Sequence, residues 1–146
     1  MKKIKIKKKL ENHIMKNGEK KTSEKLLLQS IKELQKNSSK ETKTLIKLAL
    51  LNTTPVLKLN VIKNKKRKGK KKTKIIPSFI PNNRARISKA IKFILEAIKK
   101  KPGNFYTKFN KELLLNSQNL GDAVQIKNDN QKQALIHKRY LTFFRW

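Results

Sequence analysis

The lysine-rich segments of this chain are the residues whose type and spacing indicate a chemistry. Lys63 to Lys74 is basic at nine of twelve positions, and between Glu41 and Glu96 the chain carries 16 Lys or Arg and no carboxylate. Ammonium and guanidinium groups bind phosphate oxygens, and the release of condensed counterions drives that binding. A single charge run is also typical of a solvated loop. Several such runs beside periodic apolar segments favour a polyanionic partner.

The overall charge supports the same interpretation. The 146 residues include 39 Lys or Arg and 9 Asp or Glu, which gives a formal net charge of +30. Charge repulsion of this size opposes a compact isolated chain, so we expect nucleic acid as the partner, with a membrane surface as the next candidate. No apolar run approaches the roughly 20 residues of a membrane span. The start, Met1 to Lys9, resembles neither a secretory signal nor a transit peptide, so we expect the protein to work where it is made.

Catalysis and metal binding have little support in the sequence. The nine acids are scattered rather than paired, and His13 and His137 lack a nearby Ser, Cys or Asp grouping that would indicate a nucleophile and its base. The chain has no Cys, and its four glycines are isolated, so neither a thiolate metal site nor a phosphate-cradling glycine loop is predicted. We therefore expect no enzyme activity, no cofactor and no metal.

The elements that must position these charges begin with two predicted helices. Apolar residues at helical spacing predict a first helix over Ser23 to Lys36. Ser38 followed by Glu41 is typical of a capping box and predicts the start of a second helix, which Thr53-Thr54-Pro55 ends. The predicted buried face of the second helix consists of Leu45, Leu48 and Ala49.

The period of the pattern then changes from helical to alternating. Leu57, Leu59 and Val61 predict a strand, and Ile75 to Ile80 predicts a second strand beyond the basic run. A long basic loop containing Gly69 joins them. We therefore expect a β-hairpin arm over about residues 56–80, whose outer part projects from the core because it has nothing apolar to bury.

Helical periodicity returns after Pro81-Asn82-Asn83 and continues to the end of the chain. The predicted elements are a helix with an apolar stripe (Ile87, Ala90, Ile91, Ile94, Leu95 and Ile98), a helix with Phe105, Phe109 and Leu113, and a last helix capped by Asn128 and Gln131 that runs towards Trp146. The aromatic residues, Phe93, Phe143 and Phe144 included, are predicted to be core rather than base-stacking residues. The predicted fold is mainly α: one helical bundle domain of about five to six helices over residues 10–146, with the protruding β-hairpin arm and a basic extension at residues 1–9.

Arg84 and Arg86 stand at the start of the third predicted helix. The positive end of the helix dipole and the free amides there also attract phosphate. The excess of Lys over Arg elsewhere favours point-charge phosphate contacts over bidentate reading of bases.

The order of elements and several local strings resemble the universal small-subunit ribosomal protein seven family over nearly the whole chain. The strings are Asn17 to Glu24 before the first helix, Asn52 to Pro55 at the entry to the arm, Gly69 with Thr73 to Pro77 on its return strand, Phe93 to Lys101, Glu112-Leu113 with Gly121 to Val124, and the closing Tyr140 to Trp146. Together they are more specific than any one string alone.

The resemblance implies a structural constituent of the small ribosomal subunit that takes part in translation. Such a protein binds the small-subunit rRNA, nucleates assembly of the head and lines the tRNA exit site and the mRNA exit path. Its partners are the exit-site tRNA, the mRNA and neighbouring head and platform proteins. By position, the implied rRNA-binding residues are Lys2, Lys3, Lys5, Lys7, Lys8, Lys9, Lys20, Lys21, Arg84, Arg86 and Lys89. The implied arm residues facing tRNA and mRNA are Lys65, Lys66, Arg67, Lys68, Lys70, Lys71 and Lys72.

Weaker features of the sequence bear on the compartment and on the alternative functions. The excess of Lys, Asn and Ile suggests an AT-rich genome, and the sequence looks divergent and short at its C-terminus for a bacterial or plastid member. These features favour an organelle-encoded mitochondrial protein, with a bacterium of AT-rich genome as the alternative. The rival functions are a DNA-binding architectural protein of the nucleoid and a membrane-active basic helical protein; the hairpin argues against the second.

Overall fold

The computed structural model describes residues 6–38, 41–64 and 72–143, which form six α-helices, one β-hairpin and a 3₁₀ helix. The helices are α1 (Ile6–Ile14), α2 (Lys20–Asn37), α3 (Thr42–Thr53), α4 (Asn83–Lys99), α5 (Phe105–Ser117) and α6 (Asp122–Ile136), followed by the 3₁₀ helix Lys138–Phe143. The strands β1 (Leu57–Asn64) and β2 (Lys72–Phe79) lie between α3 and α4. The predicted mainly α bundle with a β-hairpin is confirmed.

Helix α4 is the centre of the bundle, because it packs against α1, α3, α5 and α6. Four members of its predicted stripe, Ala90, Ile91, Ile94 and Ile98, are buried. Ile87 and Leu95 are half-buried at the edge of the core. The buried face is wider than the predicted stripe, since it also includes Phe93 and Ala97. A helix covered by four others needs such a broad apolar surface.

The phenylalanines of α4 and α5 lie in the core or pack against it, as predicted. Phe93 and Phe109 are 3% and 1% exposed, and the rings of Phe105 and Phe109 stack with centroids 5.5 Å apart. One turn further along α5, Leu113 continues the same buried face. The predictions for Phe143 and Phe144 lie outside the side chains that the structure describes.

The hairpin pairs its strands in an antiparallel register that runs from Leu57 opposite Phe79 to Asn64 opposite Lys72. Its base is held against α6 and the 3₁₀ helix, and Ser78 is buried there. Further out, Val61 and Ile62 are both exposed although they point to opposite faces. The described outer part of the arm therefore has no core of its own, as expected.

The predicted basic extension does not stop at an element boundary. Helix α1 begins at Ile6, inside residues 1–9, and Leu10 is only 2% exposed. Ile6, Leu10 and Ile14 follow one another at intervals of four residues, so they share one helix face that packs on α2 and α4. The lysines of this segment are thus partly organised on a helix.

The predicted capping box at Ser38 is wrong. Ser38 is the C-cap of α2, and its hydroxyl donates to the carbonyl of Leu34 at 2.8 Å. The N-cap of α3 is Glu41, three residues later. A Ser hydroxyl next to a helix end can bond backward to a free carbonyl as readily as forward to a free amide, and here it does the former.

Three further boundaries or faces differ from the prediction. Helix α2 begins at Lys20 rather than Ser23, whose hydroxyl bonds to the Lys20 carbonyl inside the first turn. Leu48, predicted to be buried with Leu45, is 43% exposed. The predicted cap at Asn128 is wrong, because α6 runs unbroken through that residue and ends at Ile136.

Candidate nucleic-acid interface

Helix α4 begins directly after the hairpin, and a hydrogen bond joins its first turn to the residue at the entry to the hairpin. Asn82 is the N-cap, and its side chain makes no capping hydrogen bond. Arg86 is half-buried, and its Nε donates to the carbonyl of Pro55 at 3.2 Å. The first turn of α4 thus keeps amides that no cap side chain occupies, beside the exposed side chain of Arg84.

Helix α1 brings a lysine to the same turn of α4. The ammonium of Lys9 donates to the carbonyl of Arg84 and to the Ser88 hydroxyl, the latter at 3.1 Å. Burial, and then the charge of Arg84, lowers the pKa of Lys9. The Lys9 ammonium is therefore held at the first turn of α4 by a backbone carbonyl and a hydroxyl, beside the exposed side chain of Arg84. We call this surface, made by Lys9, His13, Arg84, Lys89 and Lys92, the α1–α4 seam.

The other members of the seam continue it along both helices. Burial lowers the pKa of His13 below its ordinary 6.5, and the charges of Lys92 and Lys9 lower it further, so His13 lies near both lysines. The Lys89 ammonium lies 5.0 Å from the centroid of the Phe93 ring. This cation–π contact orients Lys89 without neutralising it.

The other predicted rRNA-binding residues that the structure describes lie on α1 and α2 and are not part of the seam. Lys7 and Lys8 are exposed on α1, and Lys7 lies 3.8 Å from the Glu11 carboxylate. Lys20 and Lys21 are exposed in the first turn of α2, and no hydrogen bond or ion pair between described residues joins them to the seam. The other predicted positions, Lys2, Lys3, Lys5, Lys65, Lys66, Arg67, Lys68, Lys70 and Lys71, lie outside the described residues, and Lys72 is the first residue of β2.

Carboxylates are scarce around these cations. In the ranges that the structure describes, the ion pairs within 4.0 Å are Lys7 with Glu11, Lys101 with Glu112 and Lys101 with Asp122. Arg84, Lys89 and the two lysines at the start of α2 are in none of them. The positive charge of the seam is therefore available to an external anion.

Sequence reasoning missed one ionic site, the α5–α6 corner, which consists of Lys101, Glu112, Gly121, Asp122 and Ala123. Glu112 is fully buried; its carboxylate accepts from the Lys101 ammonium at 2.6 Å and from the Ala123 amide at 2.9 Å. Lys101 also lies 2.8 Å from Asp122. Burial lowers the pKa of Lys101, but its bonds to Asp122 and Glu112 outweigh burial and the net shift is upward. This site fixes the start of α6.

Sequence reasoning also missed His13 and Lys92 as members of the seam. The signal was the helical spacing of Lys9 with His13 and of Lys89 with Lys92, but the first pair is only meaningful once α1 is recognised.

The described ranges contain neither a candidate metal site nor a helix that could span a membrane. No group of three or more His, Asp or Glu side chains there is arranged to hold a metal ion. Every helix in those ranges is too short or too polar to cross a membrane.

Comparison with known proteins agrees with the order of elements. The family described as Ribosomal protein S7p/S5e matches residues 1–138. "Small ribosomal subunit protein uS7c" of Bigelowiella natans is 27% identical over 135 residues, which cover 90% of this chain and 81% of the relative. The protein of the same name from Pleurastrum terricola is 26% identical over 133 residues, with coverages of 90% and 82%. Since the family match spans nearly all of the helical bundle and the arm, the chain belongs to the S7p/S5e family and is a structural protein of the small ribosomal subunit, not an enzyme.

Proposed function

We propose that this chain binds small-subunit rRNA through the α1–α4 seam and thereby nucleates assembly of the head. The observation that carries the proposal is that the Lys9 ammonium of α1 is held on the first turn of α4, beside the exposed Arg84, by a backbone carbonyl and a hydroxyl rather than by a carboxylate. The ammonium groups of Lys9, held by these oxygens, and of Lys89, held over Phe93, place positive charge at defined points. A folded RNA with a matching pattern of phosphates gains affinity over an RNA without it.

The start of α4 adds a second kind of phosphate contact. Its first amides carry the positive end of the helix dipole and meet no cap side chain. Arg84 and Lys89 flank this end, one exposed and one oriented over Phe93. The combination of amides and cations supports phosphate binding more strongly than the charge run of a flexible tail.

We propose further that the hairpin arm lines the tRNA exit site and the mRNA exit path. Its support is the exposure of Val61 and Ile62 on opposite faces of β1, together with the basic residues Lys58 and Lys74 on the described strands. An arm whose described strands leave these side chains exposed and carry lysines is suited to reach into a neighbouring RNA surface. The residues proposed to face tRNA and mRNA are Lys65, Lys66, Arg67, Lys68, Lys70, Lys71 and Lys72.

The ribosome of an organelle is the compartment we propose. The two relatives described above are chloroplast proteins, whereas composition favoured a mitochondrion. The relatives and the composition both favour an organelle. That this organelle is a mitochondrion stays a prediction. Cell fractionation followed by sedimentation of the tagged protein with organellar small subunits tests it.

The experiment that tests rRNA binding compares two charge-matched double variants of the full chain. Arg84→Ala with Lys89→Ala removes two seam cations, and Lys43→Ala with Lys111→Ala removes two exposed cations from α3 and α5. Filter binding uses the 3′ major domain of the small-subunit rRNA. We expect about 1–3 kcal/mol weaker binding for the seam variant, and a log–log salt slope that is shallower by roughly one per lost phosphate contact.

The control variant should bind within a few-fold of the unmodified protein. A duplex DNA of random sequence serves as competitor near physiological salt. If the DNA competes as well as the rRNA domain, or if the two double variants lose the same affinity, the chain is a general polyanion binder and the architectural alternative is favoured.

A further inference from the structure

The connection between α1 and α2 contains the one asparagine of this chain that precedes a glycine, in the pair Asn17-Gly18. The Glu19 amide donates to the Lys16 carbonyl at 2.9 Å and closes a four-residue turn around the pair. Both central residues have a positive φ, 51° for Asn17 and 79° for Gly18, as in the type I′ turns that favour Asn-Gly. Both are also exposed. The pair therefore lies in a short link that faces solvent and belongs to neither helix.

An Asn-Gly pair in an exposed link has a chemistry of its own. The backbone nitrogen of the glycine attacks the side-chain carbonyl carbon of the asparagine, because glycine has no Cβ to obstruct the approach. The new N–C bond closes a succinimide ring, and the side-chain nitrogen leaves as ammonia with the proton of the attacking amide. Water then opens the ring. Addition at the side-chain carbonyl gives aspartate, and addition at the main-chain carbonyl gives isoaspartate.

The surroundings of the turn leave both reacting groups accessible. Among the described residues, no heavy atom outside the chain neighbours of Gly18 lies within 4 Å of the place where its Cβ would be. In the same part of the chain, neither the Asn17 side chain nor the Gly18 amide takes part in a hydrogen bond. Ring closure thus requires only that the turn opens locally.

Two other asparagines show which features distinguish Asn17. Asn119 has the same left-handed backbone, with φ 63°, and is exposed, but Leu120 places a branched side chain beside the attacking nitrogen. Asn116 precedes the small Ser117, but it is fully buried and its backbone is held in α5. Of these three asparagines, Asn17 combines an exposed turn with a following glycine. The other two are therefore internal controls, one for the sequence and one for the structure.

We infer that Asn17 is a site of spontaneous deamidation in the folded protein, which converts its amide to a carboxylate in the turn before α2. The product adds a negative charge between Lys16 and the two lysines of the first turn of α2, Lys20 and Lys21, so it lowers the positive charge of this surface. The isoaspartate form also lengthens the main chain between α1 and α2 by one carbon atom. The inference does not depend on the proposed rRNA binding, because the reaction needs only the turn and water.

Incubation of the purified full chain without RNA tests the inference. Enzymatic methyl labelling measures isoaspartate, and peptide mass spectrometry locates it. We expect the product at Asn17 to form at least several-fold faster than at Asn119 or Asn116. The reaction should be faster in mildly alkaline buffer, because the attacking nitrogen must lose its proton. Unfolding in urea should accelerate the reaction at Asn116 by a larger factor than at Asn17, because the fold protects Asn116.

Two substitutions test the roles of the two reacting residues. Gly18→Ala adds a methyl group beside the attacking nitrogen. Asn17→Gln keeps an amide but requires a larger ring. Each should reduce the product at position 17 at least several-fold, and circular dichroism checks that each variant keeps its helices. Because Asn17 is exposed and Asn17→Gln removes no hydrogen bond between described residues, its loss of product cannot be due to unfolding.

The outcomes separate this inference from the proposed function. It is overturned by the absence of product at Asn17 in the folded chain, by equal rates at Asn17 and Asn119, or by product that both variants leave unchanged. Failure of the proposed rRNA binding shows instead in filter binding of the seam variants. That result would leave the rates measured without RNA unchanged.

Discussion

The α5–α6 corner and the α1–α4 seam each bring a lysine from one element against another element, but they surround it differently. At the corner, the Lys101 ammonium meets the carboxylates of Glu112 and Asp122. At the seam, Lys9 meets a carbonyl and a hydroxyl beside the charged Arg84. The corner pairs its lysine with two carboxylates, whereas no carboxylate of the described residues lies within 4.0 Å of the seam cations. We therefore expect the corner to serve the stability of the fold, and the seam to serve the binding that we propose.

The largest effect we expect is on stability, from Glu112→Ala. The substitution removes a fully buried carboxylate and leaves the Ala123 amide without its acceptor. We expect a loss of about 3 kcal/mol in the free energy of unfolding, at the lower end of the range for a broken buried pair because Lys101 keeps Asp122. Urea unfolding measures it. The control is Glu96→Ala, an exposed position on α4; equal losses for the two variants would contradict a special role of the corner.

A second stability effect concerns the close approach of Gly121 to Asn116 at the α5–α6 corner. A Cβ on Gly121 would lie 1.9 Å from Oδ1 of the buried Asn116. Gly121→Ala should therefore cost about 2 kcal/mol by overpacking. Asn116→Ala relieves the closest part of this clash. In a double-mutant cycle, the cost of Gly121→Ala should fall by at least half in the Asn116→Ala background, and full additivity would show that the clash is not the cause.

The two arginines of α4 should separate stability from binding. Arg86 is anchored to the Pro55 carbonyl, whereas Arg84 is exposed. We expect Arg86→Ala to lower the free energy of unfolding by about 1–2 kcal/mol, and Arg84→Ala to change it by less than about 0.5 kcal/mol. Arg84→Ala should still weaken binding to the rRNA domain. Thermal unfolding and filter binding of both variants test this, and the reverse order of the two stabilities would contradict it.

The smallest effect is the response of His13 to RNA. Its pKa in the free protein is below 6.5, because of burial and then the charges of Lys92 and Lys9. A group with a lowered folded-state pKa binds fewer protons in the folded state, so its contribution to stability falls as the pH drops through about 6.5 and below. Phosphates bound at the seam would offset the two lysines, so rRNA binding should raise the pKa of His13 and cause proton uptake.

NMR titration of His13 in the free and in the rRNA-bound protein measures this shift. A His13 pKa that stays constant in the complex would place the bound phosphates elsewhere.

Much of the secondary structure was predictable because its signals are local. The alternation at Leu57, Leu59 and Val61 predicted β1, and the stripe from Ile87 to Ile98 predicted α4. Helix α1 was missed although Ile6, Leu10 and Ile14 have helical spacing, because the intervening lysines resemble a solvated tail. The cap at Ser38 was wrong because the same hydroxyl can serve the end of one helix or the start of the next.

The candidate site was predictable only in part. Arg84, Arg86 and Lys89 could be proposed because a helix start and a stripe locate them on one element. The sequence did not reveal that the Arg86 guanidinium is partly engaged with Pro55, 31 residues earlier. Nor did it indicate His13 and Lys92 as neighbours, since that needs the packing of α1 on α4.

The sequence alone determined the kind of elements, their order and the excess of positive charge, because periodicity, turn residues and composition act over a few neighbouring positions. The tertiary structure decided which charges are neutralised and which stay available. Lys9 reaches Arg84 and Ser88 across 75 and 79 residues, and Glu112 meets Lys101 across a loop and two turns of helix. Such contacts depend on how whole helices pack, and the buried carboxylate of Glu112 is stable only because that packing supplies its cation and its amide.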